Sequence, residues 1–192
     1  MKASAWLLVG LAGALSSVSC TPDWATANNT PYILEIASIN GGSPLRSDVL
    51  TSNGIVNDDV LVTVNLFRKN NQVNQSVSAV EHVYLERYEI NFRRSDGHNV
   101  PGVDVPYSIT GPLGNVRFHT ANSGGEVENT VSITVVRHQA KLEPPLKNLE
   151  GQGNQDIITT IAEFTIHGRT VQGGVLEARG SLQVSFADFA DQ

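Results

Sequence analysis

The chain has 192 residues and a mass of 20.6 kDa, the size of one domain with at most a short tail. Hydrophobic residues are 40 % and charged residues 17 %, which excludes long disorder, because disordered chains combine low hydrophobicity with high net charge. A net charge of −6 lacks the basic footprint of a nucleic-acid binder, and a single cysteine excludes an internal disulfide and zinc sites built on several thiolates.

The first twenty residues are the most informative. Met1-Lys2 is followed by the apolar run Ala3 to Leu15 and the small-residue stretch Ser16-Ser17-Val18-Ser19-Cys20. A basic start, a short apolar core and a small-residue end predict a secretory signal over residues 1–19. The run is shorter than the ~20 residues a membrane-spanning helix needs. The only cysteine stands at the expected cleavage point, and this segment resembles the lipobox of bacterial lipoproteins. The resemblance implies a lipid on the Cys20 sulfur, cleavage before it, and acylation of the new amine. Several acyl chains anchor a soluble domain firmly where one would be marginal. Ser17 stands where the lipobox usually has an apolar residue. Ser17-Val18-Ser19 also fits an ordinary signal-peptidase site, which would leave a free thiol. Thr21 after the cysteine, by analogy with enterobacterial sorting, favours the outer membrane, with the domain facing the periplasm or the cell surface.

Residues 20–31 read as a polar tether, and residues 32–192 as the folded domain. Period-2 alternation then dominates. Strands are predicted at Tyr32 to Ile39, at Asp59 to Phe67 with Val60, Val62, Val64 and Leu66 on one face, and at Val83 to Arg94 with Tyr88, Ile90 and Phe92 inward. Gly41 to Asn57 reads as a loop. Ser95-Asp96-Gly97 is a turn signal opening a Gly/Pro-rich passage. Short strands are expected at Val105 to Ile109 and Val116 to Thr120, and a further one carries Val131, Ile133 and Val135. Lys141 to Asn154, with Pro144-Pro145, reads as a loop. Ile158 to His167 and Leu176 to Phe186 form the clearest hairpin. Seven to eight strands predict an all-β fold, an antiparallel immunoglobulin-like β-sandwich after the signal helix, with a small barrel as the alternative. No Cys–Trp–Cys pin is present, since neither residue type occurs after Trp24.

With its lipobox-like start, the domain resembles a group of uncharacterised bacterial lipoproteins. The stretches that carry the resemblance are Tyr88-Glu89-Ile90-Asn91-Phe92-Arg93-Arg94-Ser95-Asp96-Gly97, Pro101 to Tyr107, and Ser185-Phe186-Ala187-Asp188-Phe189. They imply fold and location and no activity.

Catalytic and metal motifs are missing. The five histidines, His82, His98, His119, His138 and His167, show no H-x-H or H-x-x-x-H spacing, and no G-x-S-x-G or phosphate-binding glycine loop occurs. Gly124-Gly125 and Gly173-Gly174 read as turns, and Arg93-Arg94 as a solvated strand end. Asp58-Asp59, Asp96 and Asp104 offer an unpatterned calcium case. The loop from Asp96 to Tyr107 is the default recognition surface, with Asp96, His98, Asp104 and Tyr107 as its candidate residues, although Pro101 and Pro106 also fit a stiff structural crossover. Tyr84 and Tyr107 are the only tyrosines expected to be exposed for sugar stacking. The expectation is a non-catalytic, lipid-anchored envelope protein without cofactor, catalytic residue or metal ligand. It would present a sheet edge and loops to an envelope protein partner, and its only other attachment would be the membrane through Cys20. The alternatives are a polysaccharide- or calcium-binding module, and a hydrolase with an unrecognised site.

Overall fold

The computed structural model describes residues 30–52, 54–69, 82–119 and 129–189. Residues 1–29, including Cys20 and the signal segment, lie outside them.

Eight strands make two sheets: β1 (Tyr32–Ile39), β2 (Leu45–Asp48), β3 (Asp58–Arg68), β4 (His82–Arg93), β5 (Ile109–His119), β6 (Asn129–Val136), β7 (Ile158–Thr170) and β8 (Val175–Ala187). One sheet has the order β1-β3-β6, the other β2-β8-β7-β4-β5. Each presents one apolar face, and the two faces bury each other. Val62, Val64, Ile133 and Val135 come from the first sheet, and Leu85, Ile90, Phe164, Ile166, Val184 and Phe186 from the second, none more than 1 % exposed. Removing those side chains from water is the main stabilising term. The phenyl rings of Phe92 and Phe186 meet edge to face at 5.9 Å.

Two bulges keep the apolar pattern inward. In β4 the buried set steps from Val83 and Leu85 to Tyr88, Ile90 and Phe92, an odd-to-even change that would turn half the strand outward. One extra residue, Glu86, opposes the gap between Gly168 and His167 of β7 and restores the facing. In β1 the extra residue is Ala37, and Ile39 then rejoins the face of Tyr32 and Leu34.

The structure corrects the sequence reading in several places. All pairings are antiparallel except β2 with β8, which is parallel. β2 falls in what reads as the Gly41 to Asn57 loop. The two short strands expected around residues 105–120 are one longer strand, β5, starting at Ile109. It bulges opposite Glu86, where Gly114 and Asn115 take left-handed backbone angles (φ 66° and 55°). Within the Lys141 to Asn154 loop the chain makes 3₁₀ turns that bury Leu146 and Leu149, and it is preceded by a single helical turn, α1 (His138–Lys141).

Glycine sets the closest approaches. At Gly180 of β8 a Cβ would lie 3.1 Å from Ile39 Cδ1 and 3.2 Å from Ile36 Cδ1, so β1 of one sheet rests directly on β8 of the other. Thr30 and Pro31, which the sequence places at the end of the tether, are already docked: Thr30 is buried against Gly174 in the β7–β8 turn, and Pro31 accepts the Lys69 amide at 2.8 Å.

Candidate functional site

β4 and β7 run antiparallel, with Val83 opposite Thr170 and Arg93 opposite Ile161. Thr30 sits beside the β7–β8 turn, at the Val83 end. The loop after Arg93 therefore emerges at the opposite end of the sheet. β4 has 12 residues, which at ~3.3 Å each separates the chain entry from this loop by about 40 Å.

The loop is held by its own polar groups. Both Arg94 Nε and Nη2 donate to the Asp96 carboxylate, the latter at 2.5 Å, and the same carboxylate accepts the His98 amide at 3.1 Å. These bonds, the Arg94 guanidinium first, hold the Asp96 carboxyl down to about 2. Asn99 Oδ1 accepts the Arg94 amide at 2.6 Å. Asp104 Oδ2 accepts the Val100 amide at 3.0 Å, while the Asp104 amide bonds back to the Val100 carbonyl at 2.8 Å. A bridge from Pro101 to Val105 closes the turn. The Tyr107 ring covers Gly102, whose positive φ of 77° and lack of a Cβ admit it.

The four candidate residues thus share one ordered loop, but their charged groups do not converge. Asp96 and Asp104 answer separate local donors, and the exposed His98 ring reaches only Asp96, at 3.5 Å. Beside the exposed Asp96 and His98, the loop exposes three large apolar side chains: Val100 is 55 %, Val103 65 % and Tyr107 58 % exposed. The valines are the residues the sequence reading passed over. The signal available there was Val-Pro-Gly-Val in a turn, where no buried face can take either valine.

The histidines are dispersed. His98 is on the loop, His138 opens α1 with its amide donating to Asn57 Oδ1, and His167 lies on the outer face of the five-stranded sheet. His82 and His119 stand opposite each other in the β4–β5 register, a juxtaposition that sequence spacing does not reveal. Among the described residues, no three His, Cys, Asp or Glu form a group that would hold a metal ion.

The outer face of the larger sheet is a charge lattice that the sequence reading missed. Arg93 meets Glu163, Arg169 meets Glu86, Arg87 meets Glu89, and Arg179 meets Glu177. His167 lies among them, 3.4 Å from Glu89 and 3.9 Å from Glu177, and burial, with Arg87 second, pushes its pKa down. Each of these four arginines has a glutamate of its own, and exposed pairs of this kind contribute little to stability. No helix among the described residues is long and apolar enough to cross a membrane. No protein-family model, curated protein or solved structure matches the chain.

Proposed function

We propose that the chain is a lipid-anchored, non-catalytic β-sandwich protein of the bacterial envelope that recognises a protein partner with the loop from Asp96 to Tyr107. The observation that carries this reading is the two-ended layout. The chain enters beside Gly174, and the exposed Val100, Val103 and Tyr107 of the loop lie a full strand length away. An anchor on Cys20 would hold the entry end near the bilayer and turn Val100, Val103 and Tyr107 away from it. Those side chains would then meet protein rather than lipid. With Asp96 and Asp104 occupied by their own loop, the tip suits an apolar recess on a partner, where valine and tyrosine surface is buried at low entropic cost.

The immunoglobulin-like reading finds support in the strand order. The first strand pairs in one sheet, crosses at Asn40–Gly42, and continues as a short strand parallel to the last strand of the other sheet. The orders β1-β3-β6 and β8-β7-β4 fit the A-B-E and G-F-C arrangement of such sandwiches, with β5 added beside β4. The loop now takes precedence over the sheet edges. Three of the four edge strands are blunted against strand addition: β5 carries Pro112 and a bulge, β2 has four residues, and β1 is interrupted at Ala37.

Fractionation of cells expressing the chain and its Cys20→Ala variant tests the reading. Wild type should partition with membranes and copurify with a stoichiometric protein, and the variant should leave the membrane fraction. Equal membrane retention of both, with no copurifying protein, would refute it. Retention on polysaccharide, or stabilisation by calcium, would instead favour the ligand-binding alternative.

A further inference from the structure

At the loop end of the sandwich a lysine is buried completely. Lys141 closes α1, its side chain is 0 % exposed, and its Nζ lies 3.0 Å from Oδ1 of Asp58 at the start of β3. The Asp58 side chain is 16 % exposed, and its second oxygen, Oδ2, accepts the hydroxyl of the buried Ser47 from β2 at 2.6 Å. Three elements that meet only in the folded chain thus bring an amine, a carboxyl and a hydroxyl donor together with little access for water. Burial alone is a poor reason for such a pair, since an ion pair of this kind gains little over apolar packing of the same volume.

We propose that Lys141 and Asp58 are joined by an intramolecular isopeptide bond, formed between Nζ and Cγ after folding. Nζ attacks Cγ, and the Cγ–Oδ1 bond breaks. Two of the three Nζ protons leave with Oδ1 as water, and Oδ2 remains as the amide oxygen. No oxidant or other reactant is needed. Ser47 Oγ is aimed at Oδ2, where negative charge builds as Nζ adds, and stabilises that charge by hydrogen bonding. Holding both groups in contact supplies the effective concentration, about 10⁵ M or more for well-oriented pairs, that the same reaction lacks in solution. Burial raises the Asp58 carboxyl pKa above its usual value against the opposing pull of Ser47 and Lys141, which favours the protonated acid that an amine can attack. The bond would tie β3 to α1 across 83 residues of chain.

A tryptic map of the folded full chain, digested under denaturing conditions after prolonged incubation, decides it. The expected product is one branched species joining Ser47–Arg68 to His138–Lys147, uncleaved after Lys141 and one water lighter than the two peptides together. Lys141→Arg, which keeps the charge but not the nucleophile, should give only linear peptides. Ser47→Ala should slow accumulation by about tenfold or more. Cleavage after Lys141, with Ser47–Arg68 recovered linear from a chain shown to be folded, would overturn the proposal. The wild-type map is decisive even if either variant fails to fold.

Discussion

Tyr107 lies over Gly102, five residues earlier in the same loop, and fills the space a side chain would take: a Cβ there would be 2.5 Å from the ring carbon Cζ. The contact fixes where the most exposed aromatic ring of the loop stands. Gly102→Ala should therefore do two things. It should cost about 1–2 kcal/mol for an alanine at positive φ, and it should displace the ring. Gly97 shares the positive φ (87°) but has nothing within 4 Å, so Gly97→Ala should carry the backbone cost alone. Urea midpoints give the first quantity for both variants. A change in Tyr107 ring NMR shifts in the Gly102 variant only would establish the second.

A second tyrosine–glycine pair stitches the sheets. Tyr88 covers Gly111 across the β4–β5 ladder, and its hydroxyl donates to the Thr134 carbonyl of β6 at 3.3 Å. Tyr88→Phe should lose that bond and about 0.5–1.5 kcal/mol. Gly111→Ala should cost more, about 1–3 kcal/mol, because the ring it strikes is buried and cannot swing into solvent. Chemical denaturation of both variants would show the order, and a Gly111 variant as stable as wild type would contradict the packing.

How far the sequence carries is clear from particular strands. β3 and the β7–β8 hairpin were legible because their inward faces run unbroken, as in Val60, Val62, Val64 and Leu66. β2 was not, because Leu45–Asp48 follows Gly41, Gly42 and Pro44 and owes its strand form to pairing with β8 rather than to its own residues. β5 read as fragments because Gly111, Pro112 and Gly114 punctuate it, yet pairing with β4 overrides them. The loop from Asp96 to Tyr107 was legible as a loop, but its internal bonding was not, since Asp104 meeting Val100 is a matter of geometry. Lys141 gave no signal at all: a lysine beside Pro144-Pro145 reads as solvent-exposed, and only the return of the chain onto Asp58 buries it.

Two groups predict losses on the acid side of the pH profile, in successive ranges. The His167 pKa is lowered in the fold, so the unfolded chain binds the proton more readily. Stability should be full above the ordinary value of 6.5 and fall as pH drops below it. His167→Gln should remove that part of the slope in melting curves taken between about pH 7 and 5. Asp96, held at about 2 against an ordinary 3.8, contributes stability present above 3.8 and lost as pH falls toward 2. Because it is exposed the effect on stability is small, and the direct readout is its carboxyl NMR titration. Arg94→Gln should move that titration up toward the ordinary value, and an unmoved midpoint would contradict the assignment of its cause.

Val103 is exposed and belongs to no core contact, so Val103→Asp should change stability by no more than about 0.5 kcal/mol. The same change should weaken partner copurification severalfold, because a carboxylate would have to enter an apolar recess. Loss of stability together with copurification would instead mark Val103 as structural.

Photo-crosslinking in intact cells tests the two-ended account most directly, with the reactive residue placed in turn at Val103 in the loop and at Val171 in the β7–β8 turn, both exposed. The account predicts one protein adduct at Val103, none to that protein at Val171, and loss of the adduct when Cys20→Ala is added. Adducts to that protein at Val171 and none at Val103, or none at either while the chain remains in the membrane fraction, would contradict it.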